Sequence, residues 1–378
     1  MFLKSLILAG AVQGFFLILL VKTKKENSDP DKLLMTWLGI IAFQLLFYYD
    51  NLAISPLAPN CIQWLGFSLP LLSSPILYRY IQTLSFGDKF QWGKIGIHLL
   101  PYAVFNFIIF CLYLINSIPA TLSNGIPHFD NEAPHWVVYC LLALLAIVPG
   151  YYTILSLLAL LKYQKLLPDN YSYTEKINLN WLKWIVISLL ILFVTVFIII
   201  KYGVNYGLLT YHNLFAVVGS ILSIYVFFIG YFGLRQTTIF INIAATTNLI
   251  KETSAQTSYK NSGLNDEAVD QLFQKVKRHM EENKPFLDEN LSLAALAGQL
   301  NLTPNQLSQI INQKSATNFF NFINGYRVQA VKEKLTDPAY GHYSIVAIGY
   351  DCGFRSKSSF NKIFKQMAGK TPSQYQRF

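Results

Sequence analysis

The sequence predicts an all-α protein in three segments. A seven-helix transmembrane bundle occupies residues 1–234, a cytoplasmic linker and amphipathic helix follow over 235–284, and residues 285–378 carry two helix-turn-helix units joined by a long helix. Three observations predict this. Seven long stretches before residue 235 contain no Asp, Glu, Lys or Arg. Beyond residue 235 the composition turns polar and charged. Toward the carboxyl end, a short pattern is written twice.

The 378 residues have a mean hydropathy of +0.35 and 15% aromatics, too apolar for an ordinary soluble chain. The charge-free stretches are 5–21, 33–49, 51–78, 95–129, 133–161, 184–200 and 202–234. Each is near or beyond the roughly 20 residues that cross a hydrocarbon core, and flanking Lys can snorkel. The basic residues between them alternate in side. Lys22, Lys24, Lys25 and Lys32 follow the first stretch, Arg79, Lys89 and Lys94 the third, Lys162, Lys165, Lys176 and Lys183 the fifth, and Arg235 the seventh. The loop around 117–134 has Asp130 and Glu132 but no Lys or Arg, and the turn after the sixth stretch has only Lys201. The positive-inside rule then puts the amino terminus outside and residues 235–378 in the cytoplasm, as in a multi-pass protein of a bacterial inner membrane. The first stretch reads as a retained helix rather than a cleaved leader, because its stronger basic cluster follows the apolar run.

Little chemistry is visible in the membrane segment. Asp50, Asn51, Arg79, His98, Asn106 and His212 are its polar candidates, and most lie near predicted helix ends, where such residues anchor helices at the interface. Pro70, Pro75, Pro101 and Pro149 predict kinks. Cys61, Cys111, Cys140 and Cys352 form no CxxC and have no His at metal-ligand spacing, so they read as buried free thiols. No nucleophile motif, phosphate loop or paired carboxylates point to an enzyme, and no cofactor or metal is implied.

Residues 251–265 are rich in Ser, Thr, Asn and Gly without apolar periodicity, the composition of a linker. From Asp266 to Asn283 a helical stripe returns, with Val269, Leu272, Phe273, Val276 and Met280 on one face. Such a stripe packs either on the following domain or on a second copy of itself, and its ordinary length favours the domain.

The duplicated pattern begins at Leu291. Leu291 to Ala297 is echoed by Tyr343 to Gly349, and Thr303 to Ile311 by Ser356 to Phe364. Each copy opens with a Ser able to cap a helix. Each breaks at a residue that tolerates left-handed backbone, Asn301 in the first and Gly353 in the second, before Thr303 or Ser356 caps the next helix. Leu307, Ile310 and Ile311, and Phe360, Ile363 and Phe364, form the inward faces and leave polar residues outward. That is the layout of a helix-turn-helix whose second helix enters a DNA major groove. A connecting helix of roughly Asn318 to Thr336 spans on the order of 28 Å at 1.5 Å per residue. One turn of B-DNA is about 34 Å, so a rigid connector of that length sets two reading helices in successive grooves.

From Phe286 onward the residues resemble the DNA-binding domain of the AraC/XylS family of transcription regulators. The resemblance is carried by Leu296-Ala297, Leu307-Ser308, Phe319 to Val328, Gly353-Phe354, Ser358 to Lys365 and Gly369 to Tyr375. It implies base-edge positions at Asn305, Ser308 and Gln309 in the first unit and Lys357, Ser358 and Lys362 in the second. Asn or Gln suits adenine and Lys suits guanine. Thr303, Lys314, Arg355, Ser356 and Lys365 are placed for phosphates. The faces differ, uncharged in the first copy and Lys-bearing in the second, which predicts unequal half-sites.

Residues 285–378 hold ten Lys plus Arg against five Asp plus Glu, a balance of +5. That suits a phosphate backbone, and equally an anionic membrane surface. The reading is a membrane-embedded, sequence-specific transcription regulator that senses an unknown signal through its helices. Its expected partners are double-stranded promoter DNA and membrane lipids, with RNA polymerase and a second copy as further candidates. The rival is a transporter or membrane sensor whose basic tail regulates it or binds proteins. Transport should leave broken helices in symmetric halves, and the odd helix count without visible repeats argues against it.

Overall fold

The computed structural model describes residues 2–24, 27–53, 57, 60–87, 92–116, 121–123, 126–128, 135–174, 177–198, 213, 215–232 and 266–376. The linker at 251–265, Arg235 and His212 lie outside the described residues. The chain divides into two compact units, one of residues 1–161 and 179–241, the other of 162–178 and 242–378.

The first unit is helical. It contains α1 (Phe2–Lys22), α2 (Asp29–Asn51), α3 (Asn60–Phe67), α4 (Pro70–Phe86), α5 (Trp92–Asn116), most of α6 (His135–Asn170), α7 (Asn180–Ile198) and α8 (Phe215–Phe232). A small hairpin of β1 (Thr121–Ser123) and β2 (Ile126–His128) interrupts it, antiparallel with Leu122 opposite Pro127, and these are the only named strands among the described residues. Small residues let the helices approach. A Cβ at Gly10 of α1 would meet the Ser223 side chain of α8 at 2.4 Å, and one at Gly14 would meet Ala42 of α2 at 3.1 Å. Close backbone approach at small residues is the usual packing between apolar helices.

Among the described residues, five helices are long and apolar enough to cross a membrane: α1, α2, the Cys140–Asn170 portion of α6, α7 and α8. The expected seven are therefore not matched helix for helix. The third charge-free stretch is split, because Ser68 and Leu69 form a turn and Pro70, without an N–H, starts a new helix. That helix, α4, has 17 residues and runs past Arg79, so the charge lies inside the helix and not after it. The apolar portion of α5 is Gly96–Leu112.

The polar candidates of this unit have local tasks. Asn106 donates to Ser68 Oγ at 2.9 Å and to the Tyr102 carbonyl at 2.9 Å, joining α5 to the turn before α4. His98 Nδ1 and the Tyr152 hydroxyl share a hydrogen bond of 2.8 Å. Asn51 donates to the Phe47 carbonyl, and Asp50 accepts from the Leu57 amide. Arg79 is buried, and its Nε has no hydrogen-bond partner among the described residues.

The second unit holds α9 (Asp266–Glu282), α10 (Leu293–Leu300), α11 (Pro304–Ser315), α12 (Phe319–Thr336), α13 (Ile345–Asp351), α14 (Lys357–Ala368) and α15 (Pro372–Gln376). Among the described residues it has two small cores. Val269, Phe273, Val276 and Met280 of α9 pack with α10, α11 and Phe319, Phe322 and Ile323 of α12. Val328, Val331 and Leu335 of the same α12 pack with α13, α14 and Phe354. The stripe on α9 is thus core-facing. It packs on the helices that follow it.

Candidate nucleic-acid interface

Two helix pairs, α10 with α11 and α13 with α14, are built alike. Ser292 Oγ accepts from the Ala295 amide and Ser344 Oγ from the Ala347 amide, each capping the first helix of its pair. The turns then use the same bond: Leu302 N–H donates to the Ala297 carbonyl at 2.9 Å, and Phe354 N–H to the Gly349 carbonyl at 3.1 Å. Both close a helix end with a left-handed residue, Asn301 at φ 56° and Gly353 at φ 86°. Thr303 Oγ1 accepts from the Gln306 amide, and the Thr303 amide donates back to the Gln306 side chain, so α11 starts with a capping box. Ser356 Oγ accepts from the Ser359 amide at the start of α14.

α12 holds the pairs apart. Asn318 caps it at the Asn321 amide, and its 18 residues span about 27 Å at 1.5 Å each. Its two ends enter different cores, so each pair is fixed to its own half of one rigid rod.

On α14, Lys357, Ser358, Lys362 and Lys365 are all exposed. Ser358, Lys362 and Lys365 share a face with Asn361, which is exposed too and which sequence reasoning passed over. Its spacing of three from Ser358 and four from Lys365 was signal enough to find it. Phe360, Ile363 and Phe364 point the other way into the core.

The α11 face differs from expectation. Asn305 and Ser308 are partly exposed, but Gln309 is only 5% exposed, although its neighbours in the sequence gave it an outward polar register. In this arrangement it does not present its amide to a base edge. Of the phosphate candidates, Lys365 is exposed, whereas Lys314 pairs with Asp270 of α9 at 2.6 Å. Arg355 donates to Asn290 Oδ1 at 2.9 Å and lies 3.9 Å from Glu289. The hydroxyls of Thr303 and Ser356 are engaged as caps.

Behind this surface lies a buried polar hub that the sequence did not announce. Arg327, 1% exposed, donates from Nε to the Phe286 carbonyl at 2.8 Å and from Nη2 to the Asp288 carbonyl at 2.8 Å. Burial pulls the guanidinium pKa down to about 10, while Asp288 and Glu289 oppose the shift. It remains a cation near neutral pH and ties the segment before α10 to α12.

Residues 296–377 match the family model described as a helix-turn-helix domain. The C-terminal segment is therefore an AraC-type helix-turn-helix domain, the kind found in DNA-binding transcription regulators. The chain is 29% identical over 101 residues to the XylDLEGF operon transcriptional activator of Pseudomonas putida, covering 27% of this chain and 30% of that protein. It is 30% identical over 112 residues to an uncharacterized HTH-type transcriptional regulator of Staphylococcus aureus, covering 30% of this chain and 14% of the relative. Over 85 residues it is 29% identical to the uncharacterized HTH-type transcriptional regulator YpdC of Escherichia coli strain K12, covering 22% of this chain and 29% of that protein. The chain thus spans less than a third of the length of these relatives. No solved structure matches it.

Proposed function

We propose that the chain is a membrane-embedded, sequence-specific DNA-binding transcription regulator. Its apolar helices sense a signal, and its C-terminal unit binds promoter DNA in the cytoplasm through two helix-turn-helix units. The observation that carries the reading is the outer face of α14, where Lys357, Ser358, Asn361, Lys362 and Lys365 are exposed on a domain of helix-turn-helix type. Lys at such positions reads guanine O6 and N7 or neutralises phosphates, and Asn suits adenine. No acidic residue follows Arg355 to dilute this charge.

Membrane embedding is supported by the five long apolar helices and by large side chains such as Phe16, Phe43, Phe107 and Trp184 exposed on them or on α5. With Arg and Lys loops alternating in side, the positive-inside rule orients the DNA-binding unit inward. The reading is tested by genome-wide mapping of DNA bound by the full-length chain, repeated with Lys357→Ala and Lys362→Ala. Discrete sites lost in the double variant are the expected result. No enrichment with the unaltered chain would sink the proposal.

A further inference from the structure

The second unit contains residues from far away in the chain. Residues 162–178, the end of α6 and most of its connection to α7, belong to it, and Tyr171, Ser172 and Tyr173 are all buried there. Ser172 is held through every polar group it has. Its amide and its Oγ both face the Leu291 carbonyl, at 3.5 and 2.8 Å. Its carbonyl accepts from Asn324 Nδ2 at 3.1 Å and Arg327 Nη1 at 3.3 Å, and its Oγ accepts from Arg327 Nη2 at 3.1 Å. Tyr171 forms an antiparallel bridge with Ser292, the cap of α10. The guanidinium of Arg355 sits 5.4 Å from the centre of the Tyr173 ring.

Three residues of this strap therefore touch the start of α10, the middle of α12 and the residue that leads into α14. These are the elements that set both helix pairs. Nothing in generic packing requires a loop between two apolar helices to fill the donor sites of Arg327 and Asn324, more than 150 residues away. Arg355 is also the phosphate candidate whose guanidinium lies over a strap side chain, and a cation held on an aromatic face is not extended toward a phosphate.

We propose that residues 171–173 are an inhibitory strap, docked in the seat made by Leu291, Asn324 and Arg327, which holds Arg355 against Tyr173 and away from DNA. Because the strap is covalently continuous with α6 and α7, a shift of those helices withdraws it, releases Arg355 from the Tyr173 ring and loosens the hub at Arg327. This supplies the regulatory step of the DNA-binding function proposed above and rests on that reading. The signal reaches the DNA-binding unit through the 171–173 connection as well as through the linker after α8.

The phosphate contact of Arg355 needs no particular base sequence, so a duplex of mixed sequence, about 40 base pairs long to span successive grooves, serves as the probe. Binding is measured with full-length protein in vesicles of neutral phosphatidylcholine, across a salt series. Tyr173→Ala is expected to tighten binding about 2- to 5-fold, the scale of one released cation–π contact. It is also expected to steepen the dependence of log K on log salt by about one, for one phosphate gained. In an Arg355→Ala background the same substitution is expected to change neither quantity. A cross-linked pair, Tyr171→Cys with Ser292→Cys, locks the strap covalently, and its affinity is expected to rise on reduction. If the unaltered chain binds the duplex but Tyr173→Ala leaves affinity and slope where they were, the strap is overturned while the DNA-binding reading stands. Equal gains with and without Arg355, or an affinity indifferent to the cross-link, overturn it as well. If the unaltered chain binds no duplex at any salt, the DNA-binding reading falls and takes the strap with it.

Discussion

Arg327 and Gly353 meet at one atom, the carbonyl oxygen of Phe286. The Arg327 Nε donates to it at 2.8 Å, and a Cβ placed on Gly353 would lie 2.4 Å from it. Gly353 also needs φ +86°, a left-handed backbone that side chains disfavour. Gly353→Ala therefore combines strain with a backbone clash that no flexible side chain can relieve. We expect a loss of about 3 kcal/mol or more in the stability of the second unit, in the range of severe single substitutions. Faster hydrogen exchange across α13 and α14 in the full-length protein is the measurement. Exchange like that of the unaltered chain would refute it.

Arg327 itself cannot be replaced by another cation. Its fork reaches Phe286, Asp288, Ser172 and Asn324 together, and a Lys ammonium has neither the span nor the planar donors to do so. Arg327→Lys leaves buried carbonyls unpaired, a cost of about 1–3 kcal/mol for each group left without a donor. The expected result is weakened protection of residues 286–292 and of the middle of α12, with the outer end of α14 less affected.

The helical character of the chain and the doubled pattern near its carboxyl end were legible because each follows from local chemistry. The doubled pattern works because Ser caps, a left-handed residue and an apolar triplet are all short-range signals, and Asn301 and Gly353 occupy equivalent turns. The stripe on α9 pointed to its core in the same way. Charge-free length was a weaker guide, since the break at Ser68–Pro70 and the buried Arg79 both depend on neighbours that a hydropathy window does not see. The burial of Gln309 was hidden for a related reason. Helical periodicity gives a direction on the helix, but whether a polar side chain in that direction stays uncovered depends on the rest of the fold. Ser172 had no sequence signal at all, because its partners lie more than a hundred residues away.

On the proposed reading, the exposed face of α14 makes two kinds of contact with DNA. Lys362→Ala removes a candidate base reader and is expected to cost about 1–3 kcal/mol on the preferred site, with relaxed preference at one position. Lys365→Ala is expected to weaken all sequences alike and to flatten the salt dependence by about one. Titrating both variants against preferred and scrambled duplexes distinguishes them. Identical behaviour of the two would remove the assigned roles.

The caps of the two second helices give a prediction about folding rather than DNA. Thr303→Ala breaks a capping box, while Ser356→Ala removes a hydroxyl that accepts from the Ser359 amide and pairs with the Ser358 hydroxyl. Each is expected to cost about 1 kcal/mol, the ordinary value of an N-cap. Raised exchange confined to the first turn of α11 or of α14 is the signature to look for, and a change spread over both helices would contradict it.

Cys352 offers a test of the second core by chemistry. Its side chain is buried with Phe354, Phe360 and Phe364. Burial pushes the thiol up to about 11 against an ordinary value of 9.0, with Lys334 pulling the other way. A thiolate is the reactive form, so alkylation of Cys352 in the folded protein should be negligible at about pH 8 and become rapid only after denaturation. The sign of the linkage follows from the raised value: the folded unit prefers the protonated thiol. That preference stabilises it fully below about pH 9 and is lost as pH rises through about 11. Cys352→Ser, which removes this titration, should therefore flatten the decline in stability between about pH 9 and 11, while leaving a smaller and less apolar side chain in the core. A decline of equal steepness in both proteins would show that the thiol does not titrate with folding.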